Sequence, residues 1–350
     1  MTRATTRRRG AGAWIAAVPL LALAGCASAA ATPAQPAAQH VQAKGGPVKE
    51  RTADRVLQVS TVHEATGMTL LEGPTFGDDG RLYLVDVTAP AGGPKVVAVD
   101  LDTQRKETFY TDEQSAFTSA QFSPVDGRLY LTDYVGGRIV SVTPEGGDPR
   151  VVAEGPVDGR TMQPDDLTFD EAGNMFVTDA QYTTYPDAEP SGRVLRFDAG
   201  TGEGTVLADR QPNPNGISFD SGGGALWLSH VDANRIDRLT LNAERTAVTA
   251  GHTAMYVDGG TSQTDSNAVD ADGNVYQGVH GEPKILVYGP DGTHKATITV
   301  PEKDGDLASA TNLAVRPGTT DAYVTVSGPA GGFVYRFDAL AEGVRQTNGG

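Results

Sequence analysis

From about Arg55 onward the chain is built of short runs in which apolar and polar residues alternate, broken by glycine and aspartate. No long segment carries a 3.6-residue apolar period. Alternation of this kind predicts half-buried β-strands, because successive side chains of a strand point to opposite faces. One run recurs. Gly80-Arg-Leu-Tyr-Leu-Val-Asp86 returns as Gly127-Arg-Leu-Tyr-Leu-Thr-Asp133 and Gly173-Asn-Met-Phe-Val-Thr-Asp179. Looser copies are Gly224–His230, Gly273–Val279 and Thr320–Val326. The central aromatics Tyr83, Tyr130, Phe176, Trp227, Tyr276 and Tyr323 stand 47, 46, 51, 49 and 47 residues apart. Units of strand, glycine turn, strand, loop and strand at this period are the signature of propeller blades. The sequence therefore predicts an all-β, six-bladed β-propeller with four antiparallel strands per blade. The last repeat has only three clear strands, and Arg55–Val62 reads as the N-terminal strand that completes it. The repeated aromatics read as packing between blades.

The N-terminal region breaks the pattern. Arg3, Arg7, Arg8 and Arg9 form a basic head, followed by an apolar run from Trp14 to Ala24. That run is too short to span a bilayer and has the length of a signal-peptide core. It ends in Leu23-Ala24-Gly25-Cys26, which resembles the bacterial lipobox, with Cys26, the only cysteine, at the lipidated position. An ordinary secretory signal cut near Ala29–Ala31 is the alternative, and Arg7-Arg8-Arg9 leaves twin-arginine export open beside the general route. The expected organisation is a lipoprotein signal peptide over 1–25, a flexible Ala/Pro-rich linker over 26–53, the propeller over 54–343 and a tail over 344–350. The expected location is the outer face of the bacterial cytoplasmic membrane, with membrane contact only through the Cys26 lipid.

Composition narrows the partners. The formal charge is −16, and removing residues 1–25, which hold four arginines and no acid, takes it to −20. Net charge of that sign does not draw nucleic acid or anionic lipid. Without disulfides, an exported domain of this size depends on a large core. A monomer acting on a small neutral substrate is the expectation.

Candidate chemistry lies at the start of each blade's first strand. The in-facing positions Phe76, Phe122, Phe169, Phe219, Val269 and Val315 align the blades, and four residues earlier the position is polar each time. Those six residues are Glu72, Thr118, Asp165, Asn215, Asp265 and Thr311. The innermost strand of a blade lines the central channel, so they are expected to converge on one ring. Three carboxylates and an amide facing one another are costly unless a cation lies between them. Oxygen donors without thiolate or imidazole suit Ca²⁺, then Mg²⁺ or Mn²⁺. Second strands run antiparallel, so the loops after them form the rim, including Tyr182–Pro190, Ser327–Gly332, His230 and His280. Thr118, Thr311, His230 and His280 are substrate-contact candidates. Asp166 is expected to face away from the channel as a turn cap. Asp86, Asp133 and Asp179, repeated at strand ends, are expected to hold loops by accepting backbone N–H bonds.

Glu72-Gly-Pro, Pro164-Asp-Asp-Leu, Pro214-Asn-Gly-Ile-Ser-Phe and Asp265-Ser, one in each of four blades, resemble the motifs of the SMP-30/gluconolactonase/LRE family of six-bladed propellers. The likeness spans about residues 55–343, and the stretch from Ala225 to Leu239 is most similar to the drug-responsive bacterial lactonase branch. The resemblance implies that Glu72, Asn215 and Asp265 are metal ligands and that Ser266 adds a hydroxyl. It implies that Asp165 stands where that branch has its catalytic aspartate and the gluconolactonase branch an asparagine. It thus implies a metal-dependent lactonase, with a calcium-type ion polarising the carbonyl and Asp165, itself near the ion, as base. A phosphotriester-type hydrolase on the same site, or a non-catalytic binding propeller, are the competing functions.

Overall fold

The computed structural model describes residues 46–181, 189–301 and 307–345. The signal segment, Cys26, most of the linker, the 182–188 part of the long rim loop and the last five residues of the tail lie outside them. Strands β1 (Lys49–Thr52) and β2 (Asp54–Ser60) precede the first repeat. The repeats then supply β3 (Leu71–Phe76), β4 (Leu82–Asp86), β5 (Pro94–Asp100) and β6 (Arg105–Thr111). Next come β7 (Phe117–Phe122), β8 (Leu129–Asp133), β9 (Arg138–Val142) and β10 (Arg150–Glu154). The third and fourth runs are β11 (Pro164–Phe169), β12 (Met175–Asp179), β13 (Gly192–Phe197) and β14 (Gly204–Gln211), then β15 (Pro214–Phe219), β16 (Ala225–His230), β17 (Arg235–Leu241) and β18 (Val248–Tyr256). The fifth is β19 (Gln263–Val269), β20 (Val275–His280), β21 (Lys284–Tyr288) and β22 (His294–Thr299). The last is β23 (Ser309–Val315), β24 (Asp321–Gly328) and β25 (Gly331–Asp338).

The fold is all-β. Each of the first four runs is a four-stranded antiparallel sheet in chain order, and the rest form one nine-stranded sheet. Within that sheet β19–β22 and β23–β25 meet at a single residue pair between β20 and β23, Val279 with Ala310. The N-terminal strand β2 pairs antiparallel with β25, from Asp54 opposite Arg336 to Ser60 opposite Gly332, completing the last run as the sequence predicts. The folded body starts earlier than residue 54. Strand β1 lies parallel on β22, the Ala53 amide donates to Thr299 O at 2.9 Å, and the Arg51 guanidinium donates to the carbonyl of Asp338. The end of the stretch read as linker is therefore sheet, because its backbone groups find partners on an otherwise open edge.

First strands touch in a cycle: β3 with β7, β7 with β11, β11 with β15, β15 with β19, β19 with β23, and β23 with β3. The cores between runs follow the repeat. Tyr83 packs edge-on to Phe122 at 5.0 Å, Tyr130 to Phe169 at 5.0 Å and Phe176 to Phe219 at 5.1 Å. Tyr323 of the last repeat does the same to Phe76 of the first, at 5.8 Å. Each such contact adds about 0.5–1.5 kcal/mol beyond the area it buries, and the last joins the two ends of the chain's repeat array. Strand-end aspartates tie the loops: Asp133 accepts from the Ala116 and Gly136 amides, Asp179 from the Gln163 amide, and Asp86 from the Thr88 amide.

Candidate active site

A backbone irregularity, repeated six times, positions the site. Between the pairs Pro164–Asp179 and Leu167–Val177, strand β11 holds one residue more than β12, a β-bulge at Asp165-Asp166. The same extra residue occurs at Gly73-Pro74 after Glu72, at Thr118, at Asn215-Gly216, at Asp265-Ser266 and at Thr311. A bulge breaks the strict up-down alternation of a strand and re-aims the side chains beside it. Five of the six ring positions lie in such a bulge, and Glu72 directly precedes one.

The pocket that results is about 260 Å³ and is lined by Glu72, Thr118, Asp165, Asn215, Asp265 and His280, with Leu70, Val87 and Tyr134 around them. The structure thus brings together the four polar oxygen-bearing ligand candidates from separate sheets. Asn215 Nδ2 donates to Asp165 Oδ2 at 3.0 Å, and Ser266 Oγ lies 3.4 Å from Asn215 Oδ1. His280 Nδ1 stands 3.6 Å from Asp265 Oδ2, and this carboxylate raises the imidazole above its ordinary value against the opposing effect of burial. The Glu72 carboxyl is pushed well up by burial first and then by the charge of Asp265, with Asp166 and Asp165 adding to it. Its Oε2 is buried without a hydrogen-bond partner.

Several placements differ from expectation. Asp166 is not among the residues lining the pocket, but it is buried where a turn cap was expected, and burial followed by the charge of Asp165 pushes its carboxyl well up, while Ser266 counters by hydrogen bonding. The bulge is the cause, since it lets two consecutive residues join one acidic cluster. His230 is not a rim residue. Its ring is fully buried and its Nε2 lies 3.0 Å from Asp237 Oδ2, which places it under the β16–β17 hairpin instead of in the pocket. Thr311 is buried too, and its hydroxyl donates to Leu71 O at 3.0 Å, bracing the backbone before Glu72. Thr118 lines the pocket, yet its hydroxyl bonds Asp165 O at 3.0 Å, so it braces the aspartate's backbone as well. Val87 and Tyr134 were not singled out by the sequence, although each directly follows a strand-end aspartate and so sits where the rim rule points. Burial, then the charge of Asp165, raises the Tyr134 phenol.

Among the described residues no group of three or more His, Cys, Asp or Glu side chains is arranged to hold a metal ion. The oxygen-bearing groups gathered at the pocket are the carboxylates of Glu72, Asp165 and Asp265 and the Asn215 amide, with the Ser266 hydroxyl behind Asn215. A hard dication fits that set, because the unpartnered Glu72 Oε2 and the mutually repelling carboxyls are the groups it would satisfy.

The sequence pattern defining the SMP-30/gluconolactonase/LRE-like region matches residues 70–328. A lactonase, drp35, of Staphylococcus haemolyticus is 27% identical over 292 residues, covering 78% of this chain and 84% of its own. Among solved structures, a calcium-binding protein, regucalcin, of Agrobacterium tumefaciens superposes with a TM-score of 0.69 at 17% identity, covering 87% of this chain and 99% of its own. A gluconolactonase of Xanthomonas campestris superposes with a TM-score of 0.64 at 17% identity, covering 85% and 99%. The structural likenesses show the fold, and the match over residues 70–328 shows the family: this chain belongs to the SMP-30/gluconolactonase/LRE-like proteins.

Proposed function

We propose that this chain is an exported, lipid-anchored, calcium-dependent lactonase, a carboxylic-ester hydrolase carried on a six-bladed propeller. Six blades are supported by the cycle of six first strands, and by the nine-stranded sheet parting at its single-pair join into β19–β22 with β1 added at the edge and β23–β25 completed by β2. One observation carries the function: Glu72, Asp165, Asn215 and Asp265, from four different sheets, line one small pocket. The relatives named lactonase and gluconolactonase, and the calcium-binding neighbour, point the same way.

Glu72, Asn215 and Asp265, with Ser266 beside them, would hold the ion; Ca²⁺ suits this donor set best, with Mg²⁺ or Mn²⁺ as substitutes. When bound, the ion supplies positive charge to the lactone carbonyl oxygen and to the negative charge that grows there as water adds. Asp165 takes the proton of the attacking water as the new carbon–oxygen bond forms. The ring carbon–oxygen bond then breaks, and Asp165 returns the proton to the departing ring oxygen, giving the hydroxy acid. Asn215 holds the Asp165 carboxylate through the 3.0 Å hydrogen bond that its amide nitrogen donates, and Thr118 fixes its backbone. These contacts orient the base before substrate arrives.

Protein lacking residues 1–25, followed by proton release on γ-lactones with calcium and after EDTA, tests the reading. Ring opening that stops on chelation is expected. Activity untouched by EDTA removes the metal from the mechanism, and inertness toward every lactone overturns the function. Export and anchoring rest on the basic head, the short apolar run and Cys26. Labelled fatty acid should enter the full chain in a bacterial host and not the Cys26→Ala variant; equal labelling would remove the anchor.

A further inference from the structure

A second hollow adjoins the acidic pocket. Leu70 and His280 line it on one side and, on the other, a groove of about 460 Å³. At about 260 Å³ the acidic pocket is smaller than the ~300–1,000 Å³ usual for small-molecule sites. The groove, which shares Leu70 and His280 with it, falls inside that range.

The groove is chemically unlike the pocket. Among the described residues His280 is the one ionisable side chain that lines it, and its larger side chains are Val62, Met68, Leu70 and Pro329. Met68 is 53% exposed, whereas Met162, Met175 and Met255 are buried. Each of the groove's hydroxyls already has a partner within the protein. Ser309 Oγ accepts from the Gly281 amide at 3.0 Å, Ser327 Oγ from the Leu71 amide at 2.9 Å, and Thr69 Oγ1 pairs with Ser60 Oγ at 2.6 Å. A polyhydroxylated ligand would leave its own hydroxyls poorly matched against such a wall, which costs affinity. An alkyl chain loses nothing there and gains by leaving water.

Resting on the lactone-opening reading above, we infer that the substrate is a lactone bearing an alkyl substituent, with the ring at the acidic pocket and the chain lying past Leu70 and His280 in the groove. The groove thereby selects for alkyl lactones over sugar-type lactones. Each methylene moved out of water is worth up to about fourfold in kcat/KM or affinity.

The experiment uses protein lacking residues 1–25, a series of γ-lactones with substituents from methyl to heptyl, and the matching γ-lactams as non-hydrolysed ligands measured by calorimetry. Both kcat/KM and lactam affinity should rise with chain length. Ala308→Trp, at an exposed position lining the groove, should flatten both slopes, while Ala308→Ser should keep them. Lactone opening at a rate independent of chain length, or slopes that survive Ala308→Trp, overturns the inference and leaves the lactonase reading standing. Lactam affinity that rises with length and is flattened by Ala308→Trp, with no lactone opened, upholds the groove and sinks the lactonase reading.

Discussion

The amide nitrogen of Asn215 donates to Asp165 Oδ2 at 3.0 Å, across two neighbouring sheets. An amide has one donor end and one acceptor end, so this bond fixes which way Asn215 points. With its nitrogen on Asp165, its oxygen is on the side of Ser266, 3.4 Å from Oγ. One side chain thereby separates the proposed base from the proposed ligand set while holding both.

That separation predicts different outcomes for two conservative changes. Asp165→Asn keeps the shape and removes the proton acceptor, so kcat should fall by ~10²–10⁴, with calcium uptake by calorimetry within a few fold of the original. Asn215→Asp instead places a carboxylate against a carboxylate and should weaken the fold before calcium is added. Loss of calcium uptake in Asp165→Asn would make Asp165 a ligand and not the base.

Charge in the cluster sets a pH dependence that calcium should reverse. Burial raises Glu72 and Asp166 in the folded state, with neighbouring acids adding to it. A carboxyl raised on folding contributes stability that is complete below its unfolded value and lost as pH climbs through the folded one. In EDTA the melting temperature should therefore fall as pH rises above the ordinary carboxylate range. Calcium at a hundred times its Kd should restore about 2.7 kcal/mol. Glu72→Gln should flatten the pH trend in EDTA and blunt the calcium effect; an unchanged trend would remove Glu72 from the cluster.

His230 and Asp237 give the opposite sign at a distance from the pocket. Burial works to raise Asp237, but the bond and charge of His230 and the charge of Arg235 prevail and lower it to about 2. A carboxylate depressed on folding contributes stability present above its ordinary value and lost as pH falls through about 2. Asp237→Asn should cost on the order of 2 kcal/mol near neutrality and narrow the gap from the parent as pH falls from 4 to 2. Calcium affinity should not move. A changed KM for lactone in this variant would return His230 to the substrate site.

The repeat made most of this architecture legible. Six glycine–aromatic runs at near-constant spacing announce the strands, and the polar position four residues before each in-facing residue announces the ring. What could not be read was the bulge. Strict alternation puts Asp165 in the channel and Asp166 away from it, and nothing in it announces the extra residue against Thr178, beside which both acids act on Glu72. His230 misled for a related reason: its place at a strand end matches the rim, but Asp237, seven residues later on β17, draws the ring beneath the hairpin. Such a pairing depends on hairpin register, which the local pattern does not encode. Segment 49–52 shows the same limit, since a polar, unpatterned stretch becomes sheet when a long-range edge accepts its backbone.

Close backbone approach should matter to the site as much as its charged groups do. A Cβ placed on Gly216 would lie 2.5 Å from the Asn267 amide nitrogen and 2.7 Å from Ser266 Cα, both backbone atoms that have no rotamer to yield. Strand β15 therefore runs against β19 only because residue 216 has no side chain, and that contact sets Asn215 beside Asp265-Ser266. Gly216→Ala must push the two strands apart, costing about 1–3 kcal/mol and lowering calcium affinity by roughly tenfold or more, since a metal site tolerates little ligand displacement. Gly224→Ala is the control: nothing lies within 4 Å of its Cβ, so stability should stay within about 0.5 kcal/mol. If Gly216→Ala loses stability yet binds calcium like its parent, strand contact supports the fold alone and the ligands are placed by other means. If it loses calcium affinity in proportion to the strand shift, the narrow gap between two sheets is itself part of the ion's cage.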